Sequence, residues 1–94
     1  MNYYAVTYRY PEGDEDIARV RPTHREFLQS LLADGTLVGS GPYAGGDALI
    51  IIRLPEGSTI ADAEALMDKD PYRLEGVLPG REIKEWTPVL NVFE

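Results

Sequence analysis

The chain has 94 residues, of which 44% are hydrophobic and 10% aromatic, a composition typical of a folded globular domain. Nine basic residues against sixteen acidic ones give a formal net charge of −7, and so acidic a surface repels phosphate backbones, which argues against nucleic-acid binding. There is no cysteine and no apolar run near the ~20 residues of a membrane helix, which excludes disulfides, thiolate metal sites and a membrane span.

The first predicted element is a strand from Tyr3 to Tyr10, because this stretch is rich in tyrosine, valine and threonine. Residues 11–16 combine proline, glycine and acidic side chains, which predicts a turn. A helix should follow from Arg19 or Arg21 to Ala33, with Gly35 as its C-terminal stop.

The only histidine falls on the apolar face of this helix. The residues that share that face recur at helical spacing: Val20, His24, Phe27, Leu28 and Leu31. Pro22 suits a first helical turn, because its missing N–H is one that the turn leaves unpaired. We therefore expect the His24 imidazole to lie near the helix N-terminus and against the core.

Three further strands and one further helix are predicted. The strands are Thr36 to Ser40, Ala48 to Leu54 and Arg81 to Val89. Ala48 to Leu54 is apolar except for Arg53, which is typical of a strand buried on both faces. The second helix should begin after Ser58 or Thr59, with Asp62 in capping-box position, and end at Asp70-Pro71.

The order strand, helix, strand, strand, helix, strand predicts an α+β fold of the ferredoxin-like type. In that fold a four-stranded antiparallel sheet carries two helices on one face. The other face should carry polar residues, yet the strand from Ala48 to Leu54 is apolar on both sides. We therefore predict a homodimer that forms through the open face of the sheet.

This topology brings three stretches together at one end of the sheet. They are the helix start with Arg21 and His24, the strand exit at residues 40–42, and residues 70–72. His24 and Asp70 should therefore be neighbours in space. A carboxylate beside a half-buried imidazole fixes its tautomer and increases its basicity, as a general base requires.

The ordered set of Arg21-Pro22-Thr23-His24, Gly41-Pro42 and Asp70-Pro71-Tyr72 resembles the YciI-like (YCII-related) family over nearly the whole chain. The resemblance implies a ferredoxin-like fold that pairs as a dimeric α+β barrel, with an active site built on His24 and Asp70. Relatives by fold include muconolactone-isomerase-like lyases and isomerases, and haem-using monooxygenases.

Each candidate residue also has a structural alternative. His24 can be a core histidine that hydrogen-bonds a loop, Asp70 can hold the turn that ends the helix, and Arg21 can be a solvated first-turn residue. Gly39-Ser40-Gly41 is not a phosphate loop, because a strand follows it, although Ser40 can hydrogen-bond a ligand. One histidine and scattered carboxylates predict no metal site.

The first functional hypothesis is a small cytoplasmic enzyme, a single domain spanning residues 1–94, that catalyses lyase- or isomerase-type proton transfer without a cofactor. Its substrate would be a compact cyclic or carboxylated metabolite. His24 and Asp70 would be catalytic, and four residues would bind the substrate: Arg21, Ser40, Pro42 and Tyr72. The second hypothesis is a ligand-binding module without turnover. The third is a haem monooxygenase with His24 as the axial ligand.

Overall fold

The structure, a computed structural model, describes residues 1–93. Its elements in chain order are β1 (Asn2–Pro11), α1 (Glu15–Ala33), β2 (Leu37–Pro42), β3 (Gly46–Leu54), α2 (Ile60–Met67), α3 (Pro71–Leu74) and β4 (Gly80–Trp86). The predicted order is confirmed, with the one-turn helix α3 added. The fold is therefore the ferredoxin-like α+β type, in which the helices pack on one face of an antiparallel sheet.

The four strands lie in the order β2-β3-β1-β4. The central pair, β1 and β3, is antiparallel, with Asn2 opposite Leu54 and Pro11 opposite Gly46. The last residues of β1 and β2 and the first residues of β3 and β4 therefore meet at one end of the sheet. This is the end at which the candidate site lies.

The hydrophobic core lies between the sheet and the helices. Alternate residues of each central strand face it, because successive side chains of a strand point to opposite faces. From β1 these are Tyr4, Val6 and Tyr8, and from β3 they are Ala48, Ile50 and Ile52. Helices α1 and α2 contribute the apolar side chains Ile17, Val20, Leu28, Leu31, Ala63 and Met67.

Helix α1 begins earlier than the sequence predicts, and this changes the position of His24. Asp14 is the N-cap, since its carboxylate accepts from the Ile17 N–H at 3.0 Å, and the acidic residues of the first turn suit the helix N-terminus. Pro22 lies inside the helix rather than at its first turn. His24 is roughly two and a half turns from the start, too far for the terminal amides to act on it. The prediction that His24 lies at a helix N-terminus was wrong.

The other boundaries shift by a few residues. Helix α2 ends at Met67 rather than at Asp70, and Asp70 caps the separate helix α3 instead. The predicted capping box is present, since the Thr59 N–H donates to the Asp62 carboxylate at 2.8 Å. The last strand ends at Trp86, so the prediction that it continues to Val89 was wrong. Pro88 has no N–H for a strand ladder, which suits this earlier end.

The second face of the sheet has no helix over it in the described part of the chain. Tyr3 packs there edge-on against Trp86, with ring centroids 6.5 Å apart, and stacks on Phe93 at 5.9 Å. Leu49 and Ile51 are only half-buried. Whether a second chain covers this face stays a prediction. No helix within residues 1–93 is long and apolar enough to cross a membrane.

Candidate active site

His24 of α1 and Asp70, the residue before α3, form a buried contact, as predicted. The imidazole Nδ1 lies 2.8 Å from Oδ2 and 3.0 Å from Oδ1 of the carboxylate. Asp70 is completely buried and His24 is 8% exposed. The two residues are 46 positions apart in sequence, so the contact depends on the packing of α1 beside α3.

Two more donors complete the environment of the Asp70 carboxylate. The Tyr8 hydroxyl donates to Oδ2 at 2.8 Å, and the Tyr72 backbone N–H donates to Oδ1 at 2.9 Å. The second bond is an N-cap of α3, and Pro71 occupies the first turn of that helix, a position that proline tolerates. One side chain thus holds both the histidine and the short helix that carries Tyr72.

These contacts define the orientation and tautomer of the His24 ring. Because a carboxylate only accepts hydrogen bonds, Nδ1 carries the proton of the neutral imidazole and the lone pair is on Nε2. Within residues 1–93 no side chain hydrogen-bonds Nε2. Every fully buried polar side-chain atom of these residues has a hydrogen-bond partner, so Nε2, which has none, is open to solvent. The Tyr72 ring stacks on the imidazole with centroids 3.9 Å apart and planes 11° apart. The ring can therefore rotate little.

A cavity of about 450 Å³ opens beside this pair. Five of the six predicted site residues line it: Arg21, His24, Ser40, Pro42 and Tyr72. Asp70, the sixth, lies behind His24 and does not reach the cavity. Ser40 and Pro42 of β2 lie opposite Ile50 and Ala48 of β3, which line the cavity as well. The predicted convergence of the three stretches is confirmed, although the roles of the residues are not tested by it.

The rim of the cavity is the hairpin between β2 and β3, which is fixed against the end of β1. Gly46 has φ of +114°, and a Cβ atom there would lie 2.8 Å from the Tyr10 carbonyl oxygen, so only glycine fits. Asp47 also has a positive φ, 64°, and its carboxylate accepts from the Tyr10 N–H at 2.9 Å. Backbone geometry, rather than side-chain packing, thus determines the shape of this rim.

The tyrosines around the dyad are held in their neutral form. Burial, followed by the charge of Asp70 and the hydrogen bond to it, raises the pKa of Tyr8 far above its ordinary value. Burial also raises the pKa of Tyr72, and the nearby Arg21 guanidinium opposes part of this effect. Both hydroxyls therefore remain hydrogen-bond donors at neutral pH.

Two residues of the site were missed from the sequence. Tyr8 is on the core side of β1 with Tyr4 and Val6, and a buried tyrosine hydroxyl needs a partner, which was the available signal. Arg25 lines the cavity beside His24 and is four residues after Arg21, on the same side of α1. That spacing could have identified it.

The acidic and histidine side chains do not converge elsewhere. Within residues 1–93, no three histidine, cysteine, aspartate or glutamate side chains are grouped so that they could hold a metal ion. Arrangements of three or four such ligands are typical of protein metal sites. The side chains that line the cavity supply one imidazole, two guanidinium groups, one carboxylate and several hydroxyls.

Fold and site together define a ferredoxin-like α+β protein with a buried His-Asp pair behind a cavity at one end of its sheet. The YCII-related domain matches residues 1–87, and the chain belongs to this family. The comparison with curated proteins gives no match.

Several solved structures share the fold. One is the 5-chloro-2-hydroxyhydroquinone dehydrochlorinase of Burkholderia phenoliruptrix AC1100, solved in complex with 2,5-dihydroxybenzoquinone. Its TM-score is 0.73 at 14% identity, over 93% of this chain and 94% of that one. A protein from Agrobacterium tumefaciens has a TM-score of 0.58 at 21% identity, over 95% and 94% of the two chains. A NIPSNAP domain protein from Burkholderia xenovorans has a TM-score of 0.59 at 15% identity, over 95% of each chain.

Proposed function

We propose that this protein is a small-molecule enzyme that catalyses proton transfer of the lyase or isomerase type, with His24 as the general base. The observation that carries the proposal is the buried Asp70–His24 contact, which places the lone pair of the imidazole on the nitrogen that is open to solvent. A carboxylate behind a histidine also stabilises the imidazolium that forms when the ring takes up a proton.

The reaction step requires only this pair and a carbon acid. A C–H bond next to a substrate carbonyl breaks, the proton moves to Nε2, and the electron pair stays on the substrate as an enolate. In an isomerase the proton returns to another atom, and in a lyase the electron pair expels a leaving group from the neighbouring carbon. Four residues that line the cavity would hold the substrate: Arg21, Ser40, Pro42 and Tyr72. Tyr8 would act by positioning Asp70.

The similar fold of the Burkholderia dehydrochlorinase supports this reaction class. Dehydrochlorination removes a proton and a chloride from the substrate, which is a lyase reaction. At 14% identity the likeness extends to the fold alone, so the assignment of the base depends on the site geometry of this chain.

We also propose that the protein is a homodimer, paired through the sheet face that carries Tyr3, Leu49, Ile51 and Trp86. Two observations support this. Trp86 is 39% exposed and Leu49 and Ile51 are half-buried, although all three point to the same face. The apolar side chains after β4 are also strongly exposed: Val89, Leu90 and Val92. Exposed apolar side chains of this kind are typical of protein interfaces when they form one patch.

The test of the base is hydrogen–deuterium exchange in D₂O, followed by proton NMR. The panel consists of cyclic ketones, hydroxyquinones and lactones, each with and without a carboxylate. We expect exchange at an acidic C–H of at least one compound, reduced about 10²-fold or more in His24→Gln and in Asp70→Asn. Gln29→Glu, on the exposed side of α1, is the control and should leave the exchange rate unchanged.

Because the chain contains one histidine, nitrogen NMR of that ring provides a test without any substrate. We expect the neutral ring to carry its proton on Nδ1 in the native protein and to lose this preference in Asp70→Asn. Compounds that bind in the cavity without exchange would indicate a ligand-binding module instead of an enzyme. A neutral ring protonated on Nε2 in the native protein would contradict the proposed base directly.

A further inference from the structure

Two arginines line the cavity on either side of His24. Arg21 and Arg25 are four residues apart on α1, so their side chains extend from the same side of the helix. Like charges at this spacing repel one another and destabilise a helix slightly. The two arginines therefore destabilise α1 slightly unless an opposite charge lies close to both.

No such charge is supplied by the described part of the chain. The basic side chains that do form ion pairs with carboxylates are Arg9, Arg19, Arg73, Arg81 and Lys84. Among residues 1–93, Arg21 and Arg25 form none, nor do Arg53 and Lys69, although the chain has sixteen acidic residues against nine basic ones. Arg19, on the same helix but outside the cavity, has both Asp16 and Glu75 within 3.6 Å.

One carboxylate, that of Glu12, also lines the cavity. Glu12 forms no ion pair with Arg21 or Arg25 among the contacts of residues 1–93. The Arg21 guanidinium lies near enough to the Tyr72 hydroxyl to lower its pKa, and Tyr72 in turn stacks on His24. A cationic group thus lines the same cavity as the imidazole that we propose as the base.

The remaining lining suits a flat ligand. Tyr10 and Tyr43 line the cavity with Tyr72, and Tyr10 contacts Tyr72 edge-on, with ring centroids 6.4 Å apart. A volume of about 450 Å³ falls in the range of small-molecule sites and holds a single ring with its substituents. Guanidinium groups bind carboxylates and other planar oxyanions with two parallel hydrogen bonds.

We infer that the cavity binds a small ring-shaped organic anion, a carboxylate or an ionised enol or phenol, whose negative oxygen atoms contact Arg21 and Arg25. The acidic C–H of the same molecule then faces Nε2 of His24. Proton transfer to Nε2 rests on the proposed function, whereas binding of the anion does not. Once the proton has moved, Arg21 also stabilises the negative charge that develops on the substrate.

The test uses benzoate and its neutral analogue benzamide as probes of the native protein, with binding followed by calorimetry and by NMR shifts of His24. We expect saturable binding of benzoate, binding of benzamide weaker by about tenfold or more, and loss of benzoate affinity as salt increases. Arg21→Gln and Arg25→Gln should each weaken benzoate binding about tenfold or more. Arg21→Lys, which keeps the charge and loses the planar fork, should have an intermediate effect.

Arg19→Gln is the matched control, because it removes the same charge from the same helix outside the cavity, and it should bind benzoate like the native protein. Circular dichroism of each variant establishes that the fold is retained. Any one of three results would overturn the inference: benzoate does not bind saturably, benzamide binds as tightly as benzoate, or Arg21→Gln and Arg25→Gln both bind benzoate with native affinity. If benzoate binding depends on the two arginines but no carbon acid exchanges its proton, the inference about anion binding holds and the proposed enzyme activity is rejected.

Discussion

The two faces of the sheet differ in how completely one chain covers them. On the helix side, Tyr4, Tyr8 and Ile52 are fully buried, and every buried polar side-chain atom of residues 1–93 has a hydrogen-bond partner. On the other side, Ile51 is half-buried and Trp86 is 39% exposed. Neighbouring isoleucines of the same strand thus have different environments. The His-Asp site is thus assembled within one chain, whereas one chain leaves apolar side chains of the open face partly exposed.

The largest effect should follow from removing the charge at the centre of the covered side. Asp70→Ala leaves His24 and Tyr8 without their buried acceptor and removes the cap of α3. We expect the free energy of unfolding to fall by about 4 kcal/mol, measured by denaturant titration. Asp68→Ala, which removes a half-exposed carboxylate that pairs with Arg73 and Arg81, should cost below about 1 kcal/mol.

Asp70→Asn keeps the shape of the side chain and should therefore cost less than Asp70→Ala. If Asp70→Ala and Asp68→Ala destabilised the protein equally, the buried network would contribute no more than surface charges. The buried hydrogen bonds of Asp70 on the helix side of the sheet would then not be a special source of stability.

The second effect concerns assembly and is expected on the open face alone. The native protein should have a mass near twice 10.5 kDa by light scattering at micromolar concentration, and Ile51→Lys should shift it towards 10.5 kDa. A lysine at this position introduces a charge in the centre of the proposed interface. Ile60→Lys, on the exposed side of α2, is the control and should leave the mass unchanged. A native protein that stays monomeric would reject pairing through this face.

The smallest effect is a dependence of stability on alkaline pH that comes from Tyr8. Its pKa is raised by burial and by Asp70, so the folded protein keeps the hydroxyl proton where the unfolded chain has lost it. The stabilisation is therefore fully present below the ordinary tyrosine pKa of 10.0 and is lost as pH rises above it. Above that pH, the free energy of unfolding should fall by about 1.4 kcal/mol per pH unit for this group.

Tyr8→Phe should be less stable at neutral pH, because it loses the bond to Asp70, but its stability should fall less steeply between pH 10.0 and alkaline denaturation. Tyr43→Phe, at an exposed position on the cavity rim, should keep the native slope. Equal slopes for Tyr8→Phe and the native protein would show that the Tyr8 proton is not retained in the fold.

Much of the fold and part of the site were predictable because they depend on local patterns. Alternation in β1 and helical spacing in α1 identified which side chains face the core, and the topology then brought His24 and Asp70 together. The start of α1 was not predicted, because the acidic residues 14–16, which favour a helix N-terminus, directly follow Pro11 and Gly13, which predict a turn. The proline inside α1 strengthened the wrong boundary, since proline is more common in a first turn than in a helix interior.

By itself, the sequence determined the element order, the antiparallel sheet, and the meeting of the helix with His24, the exit of β2 and the segment around Asp70. Only the tertiary structure decided the hydrogen bond from Tyr8 to Asp70, the stacking of Tyr72 on His24, and the place of Arg21 and Arg25 in the lining of one cavity. The reason is physical. Periodicity reports which side of an element is buried, whereas a hydrogen bond or an ion pair depends on ångström-scale distances between elements that are far apart in the chain.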